Sequence, residues 1–246
     1  KYLIILLISN IFTMNDISAQ RPQQIKKKKT NVERFTLSPF FEVTKKDSIR
    51  IITYVEIPFR CLSFIKNKDS YFASYQTSVS IKEKNGDEHS HIVWSDSIVI
   101  IDYEETNSNI LNRKHFSSVQ LPINRTYELV AELQDNDTRK KGTLKKKINL
   151  KNYSKTPHIT KPNFLLNLNG DWGFSYGKIP TQGYRVREIG EGIDLQISGF
   201  VDNSDYTIDI LINNNEYVDS LIWTARNSGV DGIFNETIFI PSKDIK

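Results

Sequence analysis

The longest regular pattern in the chain lies between Ser70 and Ile101. In its first half Tyr71, Ala73, Tyr75, Thr77, Val79 and Ile81 are mostly apolar, and Ser74, Gln76, Ser78, Ser80 and Lys82 between them are polar. Such a period of two marks a strand with one face buried and one in water. Asn85-Gly86 interrupts the pattern. This dipeptide supplies the positive φ angles of a two-residue hairpin turn, so the segment is predicted to fold back and pair with itself. A single hairpin cannot bury its own apolar side, and a second sheet must cover it.

The same alternation runs through most of the chain from Phe35. Strands are expected at Phe35 to Val43, at Ile49 to Phe59 continuing through Leu62 to Ile65, at Val119 to Pro122, at Tyr127 to Leu133, and across Leu144, Ile148 and Leu150. A short helical turn around Asn109 to Arg113 is expected after the polar segment Asp102 to Ser108, with Glu104 and Glu105 as its acidic start. Lys151 to Asn163 has two prolines and no alternation, which makes it the expected linker. Beyond it, strands are expected at Phe164 to Leu168, Ile193 to Val201, Tyr206 to Ile212, Tyr217 to Trp223 and Ile233 to Ile240. The fold class is therefore all-β, with two consecutive β-sandwich, immunoglobulin-like domains: residues 35–151 and 164–246, joined by the linker 152–163. The second domain, whose sequence ends on SKDIK, has the look of one cut short.

The first residues read differently. Tyr2 to Met14 is an apolar run behind Lys1, followed by the small residues Ser18 and Ala19, the outline of a secretory signal peptide (residues 1–19) cleaved near Ala19. Starting on Lys1 rather than methionine suggests that the true beginning precedes it. Residues 20–34 are predicted to be a flexible basic tether, in which Lys26, Lys27, Lys28 and Lys29 have the charge to touch an anionic membrane surface. The expected address is the periplasm, the cell surface or the medium.

Composition changes this picture little. The 246 residues carry 25% charged and 38% hydrophobic side chains, the balance of a folded chain. A net charge of +4 arises largely from the tether and from Arg139, Lys140, Lys141, Lys145, Lys146 and Lys147. Neither cluster has interleaved aromatics, so a nucleic-acid partner is not expected. One cysteine, Cys61, rules out an internal disulfide and is expected to be a small buried hydrophobe.

Within residues 49–150, the order VEIPFRCLSFIKNKDSYFASYQTSVSIKEKNG, then DYEETNS, then YELVAELQDNDTRKKG, resembles the N-terminal β-sandwich region of GWxTD domain-containing proteins, exported proteins of Bacteroidetes and related bacteria. The signature that names the family does not occur, since Gly170-Asp171-Trp172-Gly173 lacks its Thr-Asp; on this resemblance it would follow Lys246. The resemblance implies export and a β-rich build, not a reaction.

Searches for chemistry return few candidates. Two of the four histidines, His89 and His91, would share one face of a regular strand beside Asp87 and Glu88, yet no third ligand is in view, and a solvated tip is the expected reading. Asp135-Asn136-Asp137 and Asp202, Asn203 and Asp205 have oxygens suited to calcium but match ordinary turn composition. No nucleophile elbow, phosphate loop or zinc-protease motif is present, and Glu104 and Glu105 are not a catalytic pair without an opposing wall. No catalytic residue, metal or cofactor is predicted. Of the aromatics, Trp94, Trp223, Tyr71 and Tyr75 belong to strands and are expected in the core. Trp172 and Tyr176, in a glycine-rich segment, are the candidate ligand contacts, for a sugar above all. The expectation is a non-catalytic interaction or scaffold module of the bacterial envelope binding another envelope protein. The alternatives are a carbohydrate- or peptidoglycan-binding module and an accessory domain of a larger enzyme or assembly.

Overall fold

The computed structural model describes residues 2–8, 35–84, 86–167, 178–181, 192–201, 205–214, 217–228 and 232–241, with the backbone alone for 2–8, 166–167, 178–181, 212–214 and 217–228. The protein is an all-β sandwich protein. It divides into two compact units, one of Lys26–Pro39 and Arg50–Ser154, the other of Lys1–Ile25, Phe40–Ile49 and Lys155–Lys246.

After β1 (Tyr2–Ile8), the strands follow the alternating segments: β2 Thr36–Lys45 and β3 Ser48–Pro58, each divided between the two units, and then, in the first unit, β4 Ile65–Asn67, β5 Ser70–Glu83, β6 Glu88–Ile100, β7 Asn112–Pro122, β8 Thr126–Asp135 and β9 Lys141–Asn149. β2, β3 and β7 form one sheet in that order. In the other sheet, β5 carries β6 along one edge and β4 and then β8 along its opposite edge, with β9 beyond β8. Ala73, Tyr75, Thr77, Val79 and Ile81 of β5 are all buried, as their spacing requires, and Ile98, Tyr127, Leu129, Ala131 and Leu133 from its neighbours share their core. At about 1.5–3 kcal/mol for each large apolar side chain removed from water, this shared face is what holds the hairpin in place.

Several local expectations are corrected. β3 ends at Pro58, and Phe59–Cys61 is a 3-10 turn rather than more strand; proline has no N–H with which to continue a ladder. The helical turn is α1, Tyr103–Thr106, and not Asn109 to Arg113, because Asp102 accepts the Glu104 N–H at 2.9 Å and sets the start of the turn there. β7 accordingly begins at Asn112. The hairpin between β5 and β6 closes through residues 84–87, and Asn85 lies outside the described residues. Gly86 N–H donates to Glu83 O at 3.3 Å, so the reversal is closed by Glu83 and is not a two-residue turn centred on Asn85-Gly86. Glu83 N–H instead donates to Asp87 O at 3.0 Å across the wider loop. Cys61 is buried and in no disulfide.

In the other unit, β10 His158–Ile159, β11 Asn163–Asn167, β12 Lys178–Thr181, β13 Gly192–Phe200 and β16 Ile233–Pro241 form one sheet, and β14 Asp205–Asn214 with β15 Tyr217–Ser228 form the second. Within the expected linker, Lys151–Ser154 is a 3-10 turn and β10 pairs with β13. β1 runs parallel to β14, Tyr2 opposite Tyr206 and Ile8 opposite Ile212. Ile193, Leu195 and Ile197 of β13 pack with Tyr206, Ile208, Ile210, Phe234, Ile238 and Ile240 to form this unit's core.

Alternation in β13 predicts that Asp194, Gln196 and Ser198 face water, but all three are buried. A relay of amides satisfies this polar side. Asn163 Nδ2 donates to Gln196 Oε1 at 3.4 Å, Gln196 Nε2 to Asn235 Oδ1 at 3.1 Å, and Asn235 Nδ2 to Glu42 Oε1 at 2.7 Å. Val43 N–H donates to Ser198 Oγ at 2.6 Å. Buried polar groups are tolerated only when paired, and here a segment far away in sequence supplies the partners.

Candidate functional site

β6 is the outermost strand of its sheet. Tyr71 to Lys82 of β5 pair with it from Ile100 to Glu88, and no other strand pairs with it among the described residues. Its second edge therefore presents backbone donors and acceptors without a ladder. The opposite end of the sheet is β9, which carries Lys141, Lys145, Lys146 and Lys147 along its nine residues. Lysines on an edge strand discourage pairing, because joining a second strand would strip water from their charges. β6, with the sequence EHSHIVWSDSIVI, has no lysine or arginine at all.

The register also fixes what lies on each face of this strand. Val93 and Val99 point outward and are 46% and 64% exposed. Val99 stands opposite Phe72, which stands opposite Ile65, so an apolar row crosses the outer surface of three strands. Ile65 is 53% exposed.

On the inner side, β6 and β7 bring together a polar cluster that no local motif announces. Tyr75 is paired directly with Asp96, and its hydroxyl donates to Asp96 Oδ2 at 3.1 Å. The same hydroxyl lies 2.7 Å from His115 Nε2. A phenol has one proton to give, so while it donates to Asp96 the imidazole donates Nε2–H to the phenol oxygen. Trp94 stacks on His115 with ring centroids 5.3 Å apart, and Arg113 Nε lies 3.9 Å from Asp96 Oδ2. Burial pushes the Tyr75 hydroxyl above its ordinary range, with the Asp96 charge adding to the effect. Burial pushes His115 down; the Asp96 charge opposes this and Arg113 adds to it. The result is a neutral phenol and a neutral imidazole held by one carboxylate, which locks β6 against β7 rather than presenting an activated base. Spacing along the sequence contains no sign of it, since Tyr75, Asp96 and His115 come from three strands.

A pH dependence follows. His115 in the folded chain binds its proton at a lower pH than the unfolded imidazole near 6.5, so the unfolded state gains protons first as pH falls. Stability is expected to be full at pH 7 and to decline below about 6.5 toward the lowered folded value. Replacing His115→Phe should flatten that limb of a denaturation-against-pH profile, measured by urea unfolding from pH 7.5 to about 5; an unchanged limb would show that His115 does not carry it.

The remaining candidates separate. His89 and His91 do not share a face. The pairing skips a residue between Ser90 and Glu88, and the bulge turns His89 toward Tyr127 and Glu83 while His91 meets Glu88. Arg125 Nη1 donates to Glu83 Oε2 at 2.7 Å, and that bond with the Arg125 charge holds the Glu83 carboxyl below its ordinary value. No group of three or more His, Cys, Asp and Glu residues able to hold a metal ion occurs among the described residues. Asp135 and Asp137 spend their oxygens on backbone N–H groups of the turn itself and of Ser63 and Ser74. Asp205 is exposed at the start of β14, and Asp202 and Asn203 lie outside the described residues. Glu104 and Glu105 sit exposed in the first turn of α1. Trp172, Tyr176, Ala19 and Lys26 to Lys29 lie outside the described residues, as does the side chain of Trp223.

No protein-family profile matches this chain, and no curated protein matches it. Among solved structures, a likeness covering 50% of this chain and 13% of the other is to Bacteroides uniformis beta-glucuronidase 2, covalently bound to cyclophellitol-6-carboxylate aziridine, at 7% identity and a TM-score of 0.32. At that score the likeness carries no functional argument.

Proposed function

We propose that this chain is an exported, non-catalytic β-sandwich module that acts by contact at the bacterial envelope, taking a strand from a protein partner along β6. The observation that carries the reading is the contrast between the two ends of one sheet: β9 bears lysines, and β6 bears none. Strand addition gains affinity from main-chain hydrogen bonds and specificity from alternate side chains, and β6 supplies both through its unpaired edge and through Val93 and Val99. The apolar leader before Ala19 supports export, and the likeness of residues 49–150 to GWxTD proteins supports an envelope setting. Cleavage near Ala19 would take β1 away from β14 and leave Lys26 to Lys29 close to the new N-terminus, where an anionic lipid surface can hold them.

The test is affinity capture from the producing cell's envelope fraction with the mature chain as bait. A stoichiometric protein partner should be retained by the wild type and lost with Val99→Lys. Retention of nothing, or of the same protein by both baits, would count against this edge.

A further inference from the structure

The order of residues along β6 has a symmetry that a generic edge does not need. Outward from Asp96 in both directions, Ser95 matches Ser97, Val93 matches Val99 and Ile92 matches Ile100, with the large apolar residues Trp94 and Ile98 facing each other as the one unlike pair. Resting on the strand-addition reading above, we propose that the partner of β6 is β6 of a second copy of this chain. The two strands would run antiparallel about a two-fold axis at Asp96, joining two sheets into one.

Such an axis requires a surface that complements itself, because each residue i then meets j and each j meets i. An antiparallel strand meets the condition when its sequence mirrors about one residue, and β6 does so at three of the four positions on each side, with Trp94 against Ile98 at the other. Outward-facing valine meets valine and serine meets serine, while inward Ile92 meets Ile100 and Trp94 meets Ile98, the last an aromatic–β-branched pair of the kind that stabilises neighbouring strands. Any register displaced by one residue would put an outward side chain opposite an inward one. Displacement by two sets Val93 against Ser97 and leaves the mirror unmet.

The only charged residue within the mirrored stretch is Asp96, which would face its own copy at the axis. Its carboxylate accepts the Tyr75 hydroxyl at 3.1 Å, with Arg113 3.9 Å away, and it also accepts the Ser97 N–H at 2.8 Å, a bond along the free edge that the new ladder would have to replace. Two guanidinium groups would then flank two carboxylates, which neutralises the axis. At the other end of the sheet, the lysines of β9 oppose the same association, so pairing through β6 closes as a dimer and does not extend into a filament.

The full mature chain in sedimentation equilibrium should show a reversible monomer–dimer equilibrium. The double variant Val93→Lys with Val99→Lys, which opposes lysine to lysine at both ends of the pairing, should weaken it by about tenfold or more while far-UV circular dichroism and, at concentrations where both chains are monomers, the unfolding midpoint stay in place. Register is read by oxidation. Chains carrying Val93→Cys should form a covalent dimer when mixed with chains carrying Val99→Cys, and not when alone, because two copies of position 93 would stand about 20 Å apart at ~3.4 Å per residue. The native Cys61 is buried and adds no background. A chain that stays monomeric, a dimer indifferent to the lysines, or equal cross-linking by Val93→Cys alone would overturn the proposal. Edge-dependent capture of a different protein by a monomeric chain would overturn self-pairing and leave the contact reading intact, whereas failure of both assays removes both.

Discussion

Replacing Asp135→Ala is expected to cost the β-sandwich of residues 50–154 about 3 kcal/mol or more, a large part of the stability of a domain of this size. Asp135 closes β8 and is 1% exposed. Its Oδ1 accepts the N–H groups of Asp137 at 3.0 Å and Thr138 at 2.8 Å, which shapes the turn into β9. Its Oδ2 accepts the Ser63 N–H at 2.7 Å, which ties down the segment before β4. Alanine would leave these donors without a partner, and bonds to a charged acceptor are the costly ones to lose. Asp135→Asn keeps the shape and one acceptor oxygen, so it should cost less than alanine. Equilibrium unfolding in urea reads both, and equal stability of alanine and wild type would refute the account.

The same carboxyl shapes the acid limb of stability. Burial pushes Asp135 up, yet the hydrogen bonds from Thr138 and Ser63 outweigh burial and hold it below the ordinary carboxylate range. Its contribution is therefore present above the unfolded value near 3.9 and is lost as pH falls through the lowered folded value. Acid should weaken this unit in two stages, His115 below about 6.5 and Asp135 below about 4, and Asp135→Asn should remove only the second.

Gly199→Ala is the second large effect, confined to the other unit. Gly199 sits in β13 between β10 and β16, opposite Ile159 on one side and Phe234 on the other. A Cβ there would stand 2.4 Å from Phe234 Cζ and 2.5 Å from the His158 carbonyl oxygen. A ring can swing away, but a backbone oxygen cannot move without pulling β10 from its ladder. Destabilisation of about 3 kcal/mol or more is expected, as for overpacking that the surroundings cannot relax. Gly86→Ala, where nothing lies within 4 Å of the added carbon, is the control expected to change little. Thermal unfolding compares the two, and equal midpoints would show that the sheet yields at Gly199.

Alternation of side chains determined by itself that this is a β-sandwich protein and where most of its strands run. A strand's period is local, and the burial of Ala73, Tyr75, Thr77, Val79 and Ile81 needed no knowledge of what covers them. Three features depended on groups brought together from afar. The reversal after β5 is closed by Glu83 and Asp87 rather than centred on Asn85-Gly86, and the bulge beside it parted His89 from His91, because pairing across a whole hairpin outweighs the preference of one dipeptide. The polar side of β13 went under cover because Glu42 and Val43 meet Asn235 and Ser198 across 193 and 155 residues of chain. The third is the cluster of Tyr75, Asp96 and His115, which exists only where strands from both sheets converge on β6. The near-mirror in the sequence of β6 matters only on an edge. Strand order, which decides what is an edge, is set by the packing of the whole sheet and not by any stretch within it.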